Sequence, residues 1–311
     1  MSNIINLDSK IYIAGHRGMV GSACQRALEA KGYKNIIGYS SKELDLRDQR
    51  AAFEMIEREK PEAIIDAAAK VGGILSNSTY PYEFLMDNML IQNNLIKAAH
   101  ELDIPKFIFL GSSCIYPKMA PQPLKEEYLL TSPLEQTNQW YSIAKISGVK
   151  LIEALRQQFN RDYVSLMPTN LYGPGDNYDL ESSHVLPAML RKFSEAKDNN
   201  HSPVELWGTG KPKREFLHVD DLAGAVVFAL ENKLKDSLYN VGSEIEISIK
   251  KLADLIQNVT GHKGKIIWDK NKPDGTPRKL MDSSKLNRLG WYSEINLKVG
   301  VTKVIEDYKK I

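Results

Sequence analysis

The chain has 311 residues, 42% of them hydrophobic and 26% charged, with a formal net charge of +2. These values suit a globular protein with one large or two smaller domains, and the near-even charge gives no footing for nucleic acid or an acidic membrane surface. No apolar run approaches the roughly 18 residues that a membrane span requires, and Met1–Lys10 lacks the basic start and apolar core of a secretion signal. Cys24 and Cys114 build no disulfide framework, so a reducing, cytoplasmic setting is expected. The six histidines are scattered, and no metal-ligand spacing occurs.

In chain order, Ile11-Tyr12-Ile13-Ala14 is a short apolar run, followed by Gly15-His16-Arg17-Gly18-Met19-Val20-Gly21 and by helical composition over 22–31. Strand, glycine turn and helix are the context in which such a string reads as a dinucleotide-binding loop. The glycines let backbone amides approach a pyrophosphate, and the helix start favours its negative charge. The spacing differs from Gly-x-Gly-x-x-Gly, and an ordinary glycine turn is the alternative. Residues 35–39 predict the second strand. Enzymes that use NAD usually carry an acid at its end, but here Ser40-Ser41-Lys42 stand there and no acid comes before Glu43. Hydroxyls with Lys42 and Arg17 suit the 2′-phosphate of NADP; plain surface charge is the other reading of both cations. Glu43-Leu44-Asp45-Leu46 is expected to cover the adenine edge. Helices are predicted over 48–60 and 82–102, and strands over 61–69 and 104–110. This alternation implies an α/β fold, a doubly wound parallel sheet with helices on both faces.

Gly111-Ser112-Ser113-Cys114-Ile115-Tyr116-Pro117 leaves the apolar run Phe107–Leu110 as a loop, and Tyr141-Ser142-Ile143-Ala144-Lys145 begins a helix. Tyr141 and Lys145, four apart, share one helix face. A phenol titrates near ~10; a nearby ammonium is expected to lower that value, and a Ser hydroxyl to bond the same substrate oxygen. Ser112, Tyr141 and Lys145 thus suit proton movement on an alcohol or ketone oxygen. Tyr-x-x-x-Lys alone occurs in many helices, and its weight comes from the glycine loop upstream.

Val164–Met167 predicts a strand that runs into the loop Pro168-Thr169-Asn170-Leu171-Tyr172-Gly173-Pro174, at the strand end where open sheets bind ligands. Residues 175–181 read as loop, 183–197 as a helix led by His184, and 204–207 as a strand. Arg214-Glu215-Phe216-Leu217-His218-Val219-Asp220-Asp221 precedes a helix through Leu230, with an Asp placed as its cap. A strand at 238–242, a capped helix at 248–260, a strand at 265–268, a loop at 272–278 and a helix from Lys298 complete the pattern.

The glycine loop, the strand-to-Ser112 step and Tyr141/Lys145 resemble the extended short-chain dehydrogenase/reductases that act on nucleotide sugars. Ala14–Gly21, Gly111–Pro117, Pro168–Pro174, Arg214–Asp221 and Lys272–Lys279 together resemble the GDP-L-fucose synthase family, over about 11–292. The resemblance implies a Rossmann sheet with a smaller C-terminal α/β substrate domain: 1–170, joined by about 217–245, for the dinucleotide, and 171–311 mainly for substrate. It implies that GDP-4-keto-6-deoxy-D-mannose is epimerised at its third and fifth carbons and that NADPH reduces the fourth, giving GDP-L-fucose. Cys114 maps onto the epimerising base and His184 onto the acid; a buried filler and a surface residue are the bland alternatives. Lys192, Trp207, Arg214 and Asp274 match nucleotide-sugar contacts. Leu110, Gly111, Ser112, Ser113, Lys145, Pro168, Thr169, Asn170, Leu171 and His184 are implied to line the cofactor, beside Gly15–Gly21, Ser41, Lys42, Asp45 and Leu46. Lys192 and Ser41 depart from a family pattern that often has Arg at both places, and Ser41 weakens the preference for NADP over NAD. A homodimer built on two helices per subunit is implied. Other nucleotide-sugar epimerases or reductases of this fold, and a cofactor-sensing protein without turnover, are the rival functions.

Overall fold

The computed structural model describes residues 5–180, 182–272 and 274–309. Met1–Ile4, Glu181, Pro273, Lys310 and Ile311 lie outside the described residues, and with them the first part of the N-terminal reading, the end of the 175–181 loop and the first proline of the Lys272–Lys279 motif.

Six parallel strands form the central sheet: β1 (Ile11–Ala14), β2 (Ile36–Ile37), β3 (Ala63–Asp66), β4 (Lys106–Leu110), β5 (Asp162–Pro168) and, later in the chain, Leu238–Val241. Their order is β2-β1-β3-β4-β5 and then Leu238–Val241. The chain leaves β1 for β2 on one side and returns to β3 on the other. A crevice for ligands opens outside the strand ends at such a reversal. The connecting helices are α1 (Met19–Lys31), α2 (Gln49–Glu59), α3 (Ile74–Thr79), α4 (Pro81–Glu101) and α5 (Gln139–Phe159). β1, β3 and β4 are buried along their whole length, as strands covered on both faces must be.

The period of two in these strands divides the core. Ile11, Ile13, Ile65, Ile108 and Leu110 pack in one cluster with Cys24 and Leu28 of α1. Tyr12, Ile64, Phe107 and Phe109 pack in the other with Met55 of α2, Leu95 of α4 and Ile152 of α5. Cys24 is a buried filler.

The rest of the chain runs through β6 (Asn170–Tyr172), α6 (Val185–Asp198), β7 (Val204–Trp207), β8 (Lys213–His218), α7 (Val219–Glu231), the sixth sheet strand β9 (Leu238–Val241), β10 (Glu246–Ser248), α8 (Ile249–Thr260), β11 (Ile266–Asp269), β12 (Arg278–Lys279), α9 (Ser284–Asn287) and α10 (Leu297–Tyr308). β8 pairs with β10, β12 and β6, and β7 with β11. A third core cluster joins Leu190 and Phe193 of α6, Leu206, Phe216, Leu252 and Ile256 of α8, and Val301 of α10. α7 returns to the first cluster, as do Leu286 and Trp291.

Four local expectations change. The stretch read as a Pro-rich loop contains β6, because Asn170–Tyr172 pairs in parallel with Phe216–His218. The segment before α7 is the strand β8. Its last residue, His218, caps α7 by accepting the Asp220 amide at 3.2 Å, while Asp221 instead accepts the amides of Glu294 and Ile295. The second strand is only two residues long, and α3 follows the loop after β3.

Candidate active site

The glycine loop places its amides at the start of α1. Gly15 has φ +76, and a Cβ there would meet the Ala67 carbonyl oxygen at 2.9 Å, so both its conformation and its space exclude a side chain. Gly18 is the N-cap of α1 and supplies no side-chain cap. The first-turn amides of Met19, Val20 and Gly21 therefore lack helical acceptors and can receive an anion. Ser41 and Lys42 stand exposed just beyond β2. Glu43 folds back onto Ser40, accepting its amide at 2.7 Å and its hydroxyl at 2.6 Å. Those bonds, helped by Arg17 and His16, hold its carboxyl below the usual range. Asp45 is tied to Arg47 at 2.8 Å, and Leu46 is buried, with its carbonyl held by Asn94. Leu110 ends β4, and just beyond it the Gly111 amide bonds the Leu166 carbonyl at 3.0 Å. Pro168 ends β5, Thr169 bonds the Val241 carbonyl at 3.0 Å, and Asn170 and Leu171 begin β6.

The loop after β4 turns at once. Ser112 caps a single helical turn at 113–115 by accepting the Cys114 amide at 3.3 Å. Ser142 fixes that turn to α5 by donating to the Cys114 carbonyl at 2.9 Å. α5 can lie close because residue 148 is glycine: a Cβ there would come 2.5 Å from the Phe109 ring. Lys145 is thereby buried, with Nζ 4.6 Å from the Phe109 ring centre and donating to the Leu110 carbonyl at 2.9 Å.

Tyr141 is half-buried and neighbours Ser112, whose hydroxyl reaches its phenol. The expected lowering of this phenol by Lys145 is not found. Burial raises it, the Cys114 and Asp66 side chains add to the rise, and the Ser112 bond opposes them. The ammonium is turned to the Leu110 carbonyl instead, so Tyr141 is a phenol held protonated.

Cys114 gathers partners from distant parts of the chain. Asn138 Nδ2 donates to its Sγ at 3.3 Å and Lys279 Nζ at 3.6 Å. His184 is the N-cap of α6 and makes no side-chain cap bond. The protein packed around it, together with the charge of Lys279, holds its imidazole below the ordinary histidine value, although it stays open to solvent. Ser112, Cys114, Tyr141, Lys145, His184 and Lys279 therefore belong to one neighbourhood beside the ends of β4 and β5. A thiol, an imidazole and two hydroxyls in one neighbourhood are the group types that can deprotonate a carbon, hold the resulting oxyanion and protonate again.

A second cluster lies around the ends of β7 and β8. Trp207 is 61% exposed, which leaves a ring face for stacking, and Lys272 Nζ lies 5.3 Å from the ring centre. Asp274 accepts the Thr209 amide at 2.6 Å and its hydroxyl at 2.7 Å. Arg214 Nη1 donates to the Lys213 carbonyl, and Lys192 Nζ to the Glu205 carbonyl, two residues from Trp207.

Sequence reasoning assigned no part to Asn138, or to Lys279 beyond its place in a motif. Neither has a local signal, because each reaches Cys114 only through the fold. Asp66 read as one more strand residue, yet it is fully buried.

Comparison with known proteins gives the family. A model of the NAD dependent epimerase/dehydratase family matches residues 11–242. The chain is 52% identical to "GDP-L-fucose synthase 1" of Arabidopsis thaliana, over 100% of this chain and 96% of that one. It is 48% identical to the "GDP-L-fucose synthase" of Escherichia coli, over 96% and 95%. Among solved structures, MlghC, a GDP-mannoheptose C4 reductase of Campylobacter jejuni with NADP bound, superposes with a TM-score of 0.91 at 36% identity, covering 98% of this chain and 99% of that one. The chain belongs to the NAD dependent epimerase/dehydratase family.

Proposed function

We propose that this chain converts GDP-4-keto-6-deoxy-D-mannose to GDP-L-fucose, epimerising the third and fifth carbons and reducing the fourth with NADPH. The observation that carries the reading is the meeting of Cys114, His184 and Lys279 with Ser112 and Tyr141 in one neighbourhood. Curated relatives of near-equal length carry that activity in their names.

A proton beside a ketone is acidic because the carbanion left behind becomes an enolate. Cys114 removes it as a thiolate, with the negative charge on Sγ balanced by the Lys279 ammonium and Sγ hydrogen-bonded by Asn138. Ser112 and Tyr141 bond the oxyanion, and donors already in place at such an oxygen are worth several kcal/mol. His184 returns a proton from the opposite face, which inverts the carbon. When bound, NADPH supplies the hydride for the fourth carbon. Tyr141 then gives its phenolic proton to the carbonyl oxygen while Ser112 keeps its bond to that oxygen. Gly15, His16, Arg17, Gly18, Met19, Val20 and Gly21 would hold the dinucleotide, with Ser41, Lys42, Asp45 and Leu46 around its adenosine end. The cradle at Gly15, which a Cβ would fill, fits such a group.

Lys192, Trp207, Arg214 and Asp274 take the GDP moiety: cations for the diphosphate and an indole face for the base. On this reading 1–170, with about 217–245, serves the dinucleotide, and 171–311 mainly the sugar nucleotide. The protein acts as a cytoplasmic homodimer. Exposed Tyr82, Met86 and Leu90 along one side of α4, with Trp140 and Ile143 on α5, support a two-helix contact.

The test is incubation with NADPH and the keto-sugar, following loss of NADPH absorbance and identifying the product by NMR. GDP-L-fucose is expected. A folded, NADP-binding chain that consumes no NADPH would support the cofactor-sensing reading instead.

A further inference from the structure

Asp66 ends β3, in register with Ala14 of β1 and Phe109 of β4. Strand alternation puts its side chain on the face of Ile64, the face covered by α4 and α5. It is fully buried; Oδ1 accepts the Ala68 amide at 3.2 Å and Oδ2 has no hydrogen-bond partner. Over the same Phe109 sits Lys145, whose buried ammonium has the Leu110 carbonyl as its hydrogen-bond acceptor. A buried carboxylate and a buried ammonium are each costly alone. Burial raises the Asp66 carboxyl to about 6, with the Lys145 charge pulling against it. Burial likewise lowers Lys145, and the Asp66 charge opposes that.

Among the described residues, two phenols also face Asp66. Tyr12 of β1 has a buried hydroxyl without a partner, raised first by burial and then by Asp66. Tyr141 of α5 is raised by burial, Cys114 and Asp66. From β4 comes the Phe109 ring, and from α4 the uncharged Gln92, which donates to the Ala144 carbonyl and the Ser147 hydroxyl.

We infer that Asp66 is a positioning residue for the ketone reduction: from beneath α5, its carboxylate holds Lys145 as an ammonium and Tyr141 as a neutral phenol. The inference rests on the proposed role of Tyr141 as the group that protonates the carbonyl oxygen. Removing the negative charge makes Lys145 and Tyr141 both release protons more readily, so their effects on the reductase add.

Two measurements test this. In Asp66→Asn, the basic limb of the pH profile for NADPH oxidation with the keto-sugar is expected to move down by about one pH unit, the scale of one nearby charge. A purely structural role for Asp66 would lower the melting temperature and leave that limb in place. Asp66→Leu serves if the Asn variant does not fold. Independently of turnover, infrared titration of the full chain follows the carboxyl band that disappears in Asp66→Asn. Its midpoint is expected to rise by about one pH unit in Lys145→Met. An unmoved limb in a folded Asp66 variant, or an unmoved midpoint without Lys145, overturns the inference. A native chain inert towards NADPH and the keto-sugar would overturn the reaction itself, and the infrared titration would still decide the Asp66–Lys145 coupling.

Discussion

Lys279 Nζ stands 3.6 Å from Cys114 Sγ, although 165 positions separate the two residues in the chain. The contact joins β12 to the loop after β4, so the pairing of β12 with β8 fixes where the ammonium lies. Glu215, buried in β8, reinforces that fixation by accepting the Met281 amide at 2.9 Å, just beyond β12.

Solvent deuterium entering the carbons beside the ketone reports on Cys114 directly. Cys114→Ser is expected to slow that exchange by roughly 10²- to 10⁴-fold, the usual contribution of a positioned base, while NADP binding stays native. Lys279→Met removes a charge-assisted bond and is expected to slow exchange by roughly 10- to 100-fold. Mass spectrometry of the recovered sugar gives both numbers. Native exchange in Cys114→Ser would place the base elsewhere.

The acid step carries its own pH signature. His184, though open to solvent, lies below the ordinary histidine value because of the protein packed around it first and Lys279 second. A group lowered in the folded state gains its proton only below the usual ~6.5, so the imidazolium needed to return a proton fades as pH rises through that lowered value. The exchange rate should therefore show a limb on the acid side of ~6.5, and in Lys279→Met that limb should move up because a repelling cation is gone. Stability runs the opposite way with pH, because the unfolded state binds the proton more readily than the folded one. The neutral ring favours the fold above the unfolded-state value, and that contribution is lost as pH falls through the folded one. A limb that ignores Lys279 would separate His184 from the step.

The central sheet was legible because its strands are short apolar runs, such as Phe107–Leu110, between glycine turns and periodic helices. Sequence patterning sees local burial, and β1, β3 and β4 are buried along their length. β6 and β8 were not legible, since Pro168 and Pro174 flank the first and charged Lys213 and Arg214 open the second. Those strands exist through pairing with each other and, for β8, with β10 and β12. At the site, Tyr141 and Lys145 were readable from their spacing of four, but the direction of the Lys145 ammonium was not. The backbone carbonyl of Leu110 takes it, and no helix periodicity reports where a neighbouring strand's carbonyl lies.

Cofactor choice turns on the end of β2. Glu43 is bound to Ser40, so the acid is engaged locally, and Arg17 of the glycine loop lies near enough to lower its carboxyl. Arg17→Met is expected to weaken NADPH binding by roughly 10- to 100-fold, the value of a charge-assisted bond, and NADH binding by less than about twofold. Fluorescence titration of both cofactors checks it. Equal losses for the two would mean that Arg17 holds the pyrophosphate they share.

Gly148 offers the sharpest test of how the fold positions the chemistry. It lies three residues beyond Lys145 on α5, and a Cβ there would come 2.5 Å from the Phe109 Cζ and 3.0 Å from the Gln92 side-chain nitrogen. Phe109 is fully buried in β4 and cannot retreat, so in Gly148→Ala the helix must lift from the sheet. Overpacking of this kind costs about 1–3 kcal/mol, seen as a melting temperature several degrees lower. Lifting α5 also draws Lys145 from the Leu110 carbonyl and Tyr141 from Ser112. Displacement of a reacting group by about 1 Å is worth up to ~10²-fold in rate. The maximal rate of ketone reduction should therefore fall by about tenfold or more. KM for the sugar nucleotide should hold, because Trp207, Arg214 and Asp274 stand on other elements. A variant with a lowered melting temperature and native turnover would show that α5 can shift without disturbing the Tyr141–Lys145 pair, and the close approach at residue 148 would then serve stability alone.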